Sequence, residues 1–560
     1  MSRDFDARKN SIVKLTAGMD IVTRVRAHAA EVGDRTALTG LDERGGESIV
    51  LTYGQLDRRA RATAVFLAAH VRPGDRVLLA FHDPVEFAVA FFGCAYAGAV
   101  AVPVPVPMSG KNDKGRFSRI AGIVTECRPV IGLSTRKVVE EIWPFAEANG
   151  VALRCLPIEI VEESRADEWE ERTPELDALA FLQYTSGSTG APRGVRISHR
   201  NLTANVQQLG EFTGYDTSKP FVSWLPHYHD MGLVLLILFP LYNAAPVYLM
   251  SPAAFLKRPV RWLEAISRYR AGSSGAPNFA YELCVRRIPP EARAALDLTC
   301  LTSAGIGAEP ISAATLERFS DAFAASGFAR SALRPGYGLA ETVVFMTVHR
   351  SPQGFRMLEL PGGTRAVSCG KPPSDSSLRI VDPVTRVPVE DGMPGEIVFA
   401  SPSVSDGYWG GPMERCTLTD PADGTRSYFA TGDVGVLVDG ELAVVGRLKD
   451  IVIVNGTNYH APDIEETAAR EVRGAIPSGC AAFGAQVEGK EQLIVAIEIE
   501  RYEPGREAEL LGTLRLAVIE QHEVNLHDLV VLRPGRLPRT SSGKIRRHLC
   551  REQYERGELR

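Results

Sequence analysis

Sulfur chemistry is missing from this chain of 560 residues. Its cysteines, Cys94, Cys127, Cys155, Cys284, Cys300, Cys369, Cys416, Cys480 and Cys550, stand singly. No two have the spacing of a zinc or redox pair, and nine is an odd number, so reduced thiols in a cytosolic protein are expected. An excess of positive charge is also missing. Lys and Arg number 63 against 68 Asp and Glu, a net charge of -5, which gives no basic field for nucleic acid. The first ten residues, Met1 to Asn10, are charged and lack the apolar core of a secretory signal, so none is expected. One apolar run, Met231 to Met250, is long enough to span a bilayer. Pro240, Asn243 and Pro246 interrupt it and a His/Asp cluster opens it. It reads as a buried helix, a turn and a buried strand, with no membrane span.

What is present begins with length. A chain of this size exceeds one hydrophobic core and predicts two to four domains. Its 45% hydrophobic and 23% charged residues are those of an ordinary globular protein. The most informative stretch is Tyr184-Thr185-Ser186-Gly187-Ser188-Thr189-Gly190-Ala191-Pro192-Arg193-Gly194-Val195. An apolar run from Ala178 to Leu182 precedes it as a strand, and Ile197 to Leu202 follows as a strand end and helix start. Glycines let a backbone turn sharply and approach a ligand closely. Successive N–H groups and hydroxyls form an anion nest, and Arg193 adds a fixed charge. That is polyphosphate chemistry. No Gly-Lys-Ser/Thr closes the loop, so it is not a Walker A motif.

Along the chain, Met19 to Val32 has helical spacing, and Leu51 opens an amphipathic segment to about His70. Arg76 to Phe81 predicts a strand, Pro84 to Ala97 a helix with proline in its first turn, and Val100 to Pro103 a strand. That alternation implies a parallel sheet flanked by helices. Pro103 to Pro107 is extended, Lys111 to Arg116 a polar loop, and Val130 to Leu133 the next strand. Trp224 to Gly232 holds His227-Tyr228-His229-Asp230, whose spacing is metal-like but which no further ligand cluster completes. Arg270 to Arg286 places a Gly-Ala-Pro turn before an apolar-faced helix. Ser303 to Pro310 is read as following a strand and starting a helix. Thr347 to Gly370 is polar and irregular. Ile451 to Glu465 reads as a strand, a turn and a capped helix start, opening a compact α+β unit.

In their order, these segments resemble the adenylate-forming (acyl-activating) superfamily, closest to its fatty acyl-AMP ligases and acyl-CoA synthetases. The superfamily's phosphate loop reads Ser/Thr-Gly-Ser/Thr-Thr-Gly-x-Pro-Lys-Gly, with Arg193 here in place of lysine. Pro335-Gly336-Tyr337-Gly338-Leu339-Ala340-Glu341-Thr342, Tyr428 to Gly435, Gly446 to Asp450 and Pro538 to Arg547 match its later motifs. The resemblance runs from about Leu51 to Arg547. It implies an α/β fold: a large N-terminal domain (1–447) of parallel-rich sheets flanked by helices, with a β-barrel-like subdomain. A hinge (448–450) at Lys449 and Asp450 would lead to a small, mobile α+β C-terminal lid domain (451–560).

The implied activity is ATP-dependent conversion of a carboxylic acid, fatty or otherwise hydrophobic, to an acyl-adenylate with release of pyrophosphate. Thr185, Ser186, Gly187, Ser188, Thr189, Gly190 and Arg193 would hold phosphates. Gly307, Ala308 and Glu309 would pack against adenine, Tyr337 would stack on it, and Gly338 and Ala340 would complete the nucleotide site. Glu341 would bind Mg2+, a hard cation that takes carboxylate and phosphate oxygens. Asp433 and Arg447 would reach the ribose, and Lys544 would be the catalytic lysine. His227, Met231, Gly232, Gly275, Phe279 and Gly305 would border the acyl site. For His229 a catalytic or gating role competes with a structural one. Fatty acyl-AMP ligases carry an insertion near Thr347 to Gly370 that is held to hinder coenzyme A use. This segment is shorter than that insertion, so the acceptor stays open between a carrier protein's phosphopantetheine and coenzyme A.

Overall fold

A computed structural model describes residues 19–106, 114–185, 192–360, 363, 365–420, 424–454, 457–487, 490–501, 505–539 and 545–559. Two large sheets dominate the described part of the N-terminal region. One has six strands in the order Cys155–Pro157, Ile131–Ser134, Arg76–Leu79, Val100–Pro103, Leu179–Thr185 and Arg193–Ser198. It is parallel except for its last pair, an antiparallel hairpin. The other has eight strands, running Thr347–Val348, Leu333–Tyr337, Ser303–Ile306, Ser273–Ala276, Phe221–Ser223, Val247–Met250, Thr36–Leu41 and Glu47–Thr52. Its inner pairs are parallel and both edges are antiparallel.

The helix Pro84–Ala97 shows why the layers hold. Asp83 caps its N-terminus by accepting from Val85 and Glu86, proline stands in the first turn, and Gly98 ends it at φ 71°. The helix is almost wholly apolar and buried, as an element covered on every side must be. It packs on Tyr53–Ala68 so closely that a Cβ at Gly93 would lie 2.4 Å from Thr63 Cγ2. These helices and the facing sides of both sheets share one continuous core.

The apolar run after His229 is a π-helix over Met231–Leu238, an α-turn over Phe239–Tyr242 and a buried strand, Val247–Met250. No described helix is long and apolar enough to cross a membrane. Two local expectations need correcting. Helix Lys114–Cys127 begins inside the stretch expected to be a polar loop. Ser303–Ile306 is itself the strand, and the next helix, Ala313–Phe323, starts only after Pro310. A run of Ser, Ala and Gly carries little strand signal; burial between two parallel neighbours decides it.

Beyond these sheets lies a five-stranded antiparallel sheet of Ser377–Val381, Gly395–Ala400, Gly424–Val438, Arg415–Asp420 and Glu441–Arg447. This is the barrel-like subdomain, and among the described residues its strand path stays open. A short 3-10 turn, Leu448–Asp450, joins it to the C-terminal part. There a hairpin, Ile451–Val454 with Thr457–His460, precedes a three-stranded sheet and the helices Ala461–Glu471, Glu507–His522 and Arg547–Glu555. This part has its own apolar clusters.

Candidate active site

A cavity of about 1880 Å³ opens between the two large sheets, the antiparallel sheet and the C-terminal part. Local folding delivers residues to it in pairs. The hairpin Leu179–Thr185/Arg193–Ser198 sets Thr185 opposite Arg193, closing the hydroxyl-rich loop at its base. Pairing of Gly424–Val438 with Glu441–Arg447 sets Asp433 opposite Arg447. Tyr337 ends the strand Leu333–Tyr337, and Ala340–Thr342 follows as a 3-10 turn. Val343 then adopts φ 72°, a left-handed conformation that a β-branched residue resists. The turn that presents Glu341 is therefore held under backbone strain.

Two polar groups face this space. In the first, the Tyr337 hydroxyl donates to Asp433 Oδ2 at 2.7 Å, and Arg447 Nε meets Asp433 Oδ1 at 3.1 Å. The Asp433 carboxylate raises the Arg447 guanidinium above its ordinary range, and burial lifts the Tyr337 phenol. In the second, the Tyr408 hydroxyl donates to Glu341 Oε1 at 2.7 Å. The Arg193 guanidinium lies over the Tyr408 ring, 3.7 Å from its centroid. Burial pushes the Glu341 carboxyl up, the Tyr408 hydroxyl pulls it down, and Asp230 and Asp433 add to the rise. A half-buried carboxylate with acidic neighbours suits a hard divalent cation. Among the described residues no group of three or more His, Cys, Asp or Glu is placed to hold a metal by itself.

Of the expected residues, Thr185, Arg193, His229, Met231, Gly305, Gly307, Ala308, Glu309, Tyr337, Gly338, Ala340, Glu341, Asp433, Arg447 and Asp450 line the cavity. His229 Nδ1 lies 2.7 Å from Asp230 Oδ1. Glu309 accepts from the Phe279 N–H at 2.6 Å, which fixes the turn after Ile306. His227, Gly232, Gly275 and Phe279 do not line it. His227 is buried, packs its ring 4.4 Å from that of Phe87 and meets the Phe81 carbonyl through Nε2 at 3.0 Å. Burial takes its pKa down to about 3, so it stays neutral and joins two layers. Gly232 fits against the chain at Pro226, whose carbonyl oxygen would lie 2.1 Å from an added Cβ. Ser186, Gly187, Ser188, Thr189, Gly190 and Lys544 lie outside the described residues. Arg539 and Ile545, which flank the lysine segment, pair in an antiparallel bridge and line the cavity.

Sequence reasoning missed Tyr408 and Arg547. Arg547 meets Asp450 at 2.5 Å and Glu465 at 2.6 Å, so it clasps the turn Leu448–Asp450. Its position just past the lysine motif was the available signal. Tyr408 had none, because its partners are remote in sequence.

The family model for AMP-binding enzymes matches residues 25–409. The chain belongs to the AMP-binding enzyme family. Residues 449–560 match the AMP domain of Disco-interacting protein 2-like proteins. This AMP-binding enzyme is 36% identical over 537 residues to the medium-chain-fatty-acid–[acyl-carrier-protein] ligase JamA of Moorena producens, covering 91% of this chain and 90% of that one. It is 35% identical over 566 residues to a 4-hydroxyphenylalkanoate adenylyltransferase of Mycobacterium tuberculosis, covering 94% and 90%. Among solved structures it is similar to a fatty acyl-adenylate ligase from a study of the E. coli and L. pneumophila enzymes, with TM-score 0.86, 31% identity and coverage of 96% and 98%. The L. pneumophila ligase in complex with acyl adenylate and pyrophosphate gives TM-score 0.72 at 34% identity, covering 96% of each chain.

Proposed function

We propose that this AMP-binding enzyme activates a fatty or other hydrophobic carboxylic acid as its acyl-adenylate and passes the acyl group to the phosphopantetheine thiol of a carrier protein. One observation carries the reading. The Tyr337–Asp433–Arg447 cluster, suited to a nucleoside, and the Arg193–Tyr408–Glu341 cluster, suited to phosphates, face one cavity that continues between apolar walls. In the first step a carboxylate oxygen attacks the α-phosphorus of ATP, the bond to the bridging oxygen breaks, and pyrophosphate leaves. In the second, a thiol attacks the acyl carbon and AMP leaves.

The first step asks for in-line positioning and charge neutralisation more than for covalent chemistry. Tyr337, Asp433 and Arg447 hold the nucleoside. Arg193 and the hydroxyl loop hold the β- and γ-phosphates. Glu341 would hold a magnesium ion, which would neutralise phosphate oxygens. Lys544 would stabilise charge at the transferring phosphate, brought over the site by the C-terminal domain turning at Lys449 and Asp450. A carrier acceptor is supported by the printed name of JamA.

Acid-dependent ATP–pyrophosphate exchange tests the activation. Its absence with every acid, at saturating magnesium, would sink the reading. Offering coenzyme A and holo-carrier protein side by side then tests the acceptor, with acyl-carrier as the expected product. Acyl-coenzyme A alone would make the protein a coenzyme A ligase.

A further inference from the structure

We propose that the acid carries a hydrogen-bond-accepting oxygen at the end remote from its carboxylate, and that Tyr215 and Arg334 recognise it. The inference rests on the acid-activating reading above and deepens it.

Strand register builds the channel. Gly275 pairs with Gly305, and Gly305 with Arg334, across three parallel strands. In-register neighbours project to the same face of a sheet, as do residues two apart along a strand. Gly275, Gly305, Gly336 and Arg334 therefore share one face, and three of them have no side chain. Gly305, Gly336 and Arg334 line the cavity, with Leu209 and Leu235 among its apolar walls. Along the strand away from Tyr337, two positions beyond Gly336, stands the half-buried Arg334.

That end is polar, and two of its donors, the Tyr215 hydroxyl and Arg334 Nε, lack acceptors. Tyr215 is 9% exposed and also lines the cavity. A Cβ on Gly305 would lie 2.4 Å from the Tyr215 hydroxyl, so the hydroxyl points across the glycine face. Among the described residues the hydroxyl has no hydrogen-bond partner. Arg334 is held by its terminal nitrogens, Nη1 donating to the Ser331 carbonyl and to the Leu333 carbonyl at 3.1 Å, and Nη2 to the Thr302 carbonyl at 3.3 Å. Its Nε is buried with no partner. The two side chains influence each other electrostatically, the Arg334 cation opposing the effect of burial on the Tyr215 phenol.

A hydrocarbon terminus would leave both donors dry and unpaired, and such groups are costly to bury. An oxygen would accept from them. A hydroxyl, a keto group and a carboxylate share this chemistry.

The test is acid-dependent adenylate formation over a series of chain lengths, comparing saturated monocarboxylic acids with their ω-hydroxy, ω-1-keto and α,ω-dicarboxylic counterparts. At the best length, one oxygenated acid should exceed its plain counterpart in kcat/KM by at least about tenfold. Which series wins identifies a neutral or an anionic terminus. Tyr215→Phe keeps the ring against Phe221 and Phe239, so the fold should stand, and should bring the ratio close to one. Arg334→Met should do the same, most strongly for the dicarboxylic acids. Plain acids preferred at every length, or a ratio unmoved by Tyr215→Phe, would overturn the inference and leave acid activation intact. Adenylate from no acid at all would overturn both.

Discussion

Replacing Tyr408 by phenylalanine removes one oxygen and keeps a ring beneath Arg193. The atom lost donates to Glu341 at 2.7 Å in a partly buried setting. Hydrogen bonds to a charged partner are worth about 1.5–3 kcal/mol. The same hydroxyl holds the Glu341 carboxyl down against burial, so its loss lets that pKa climb further. If Glu341 must be ionised to take a cation, activity falls as pH drops through its pKa, and the variant should fall earlier. The acid limb of kcat/KM for ATP should move to higher pH, and the magnesium concentration for half-maximal rate at neutral pH should rise. The plateau at high pH and high magnesium should largely return, because the ring still packs on Arg193. The folded-state pKa of Glu341 lies above its unfolded value, so its contribution to stability is present at low pH and lost as pH rises through the folded pKa. Tyr408→Phe moves that loss to higher pH as well. An acid limb that stays in place, with unchanged magnesium dependence, would refute the link between Tyr408 and Glu341.

Lys544→Ala should lower carboxylate-dependent pyrophosphate release by about 10²–10³ while thiol transfer from supplied acyl-adenylate survives, which single-turnover assays would separate. Asp433→Asn should raise KM for ATP at least about tenfold, since it weakens the grip on both Tyr337 and Arg447; unchanged ATP affinity would contradict the nucleoside assignment. Arg547→Met should leave Asp450 and Glu465 without their shared cation, at a cost of about 3–5 kcal/mol to the C-terminal part, visible as earlier proteolysis near residue 450.

Much of this architecture is written locally. Asp83, Pro84 and Gly98 punctuate one helix, and the buried strands around Arg76 and Val100 announce themselves by apolar runs bounded by turn residues. The failures have a common cause. Ser303–Ile306 becomes a strand through its neighbours on either side, which its own small residues do not encode. His227 sits one position before the cavity-lining segment and turns inward to Phe81, a choice made by a helix far up the chain. Tyr408 gains its place only because a bridge between Tyr408 and Val195 brings its loop beside the start of the second hairpin strand. Contacts of this kind leave no periodicity to read.

The clasp of Arg547 on Asp450 and Glu465 ties together two things that a swinging lid would need to move. Arg547 follows Lys544 by three positions, and Asp450 ends the turn Leu448–Asp450, where we place the joint. A turn about that joint must either carry the lysine segment with it as one lever or first break the ion pair. Were Lys544 to leave the site by such a turn, its departure would be geared to that ion pair, with a single guanidinium as the pin.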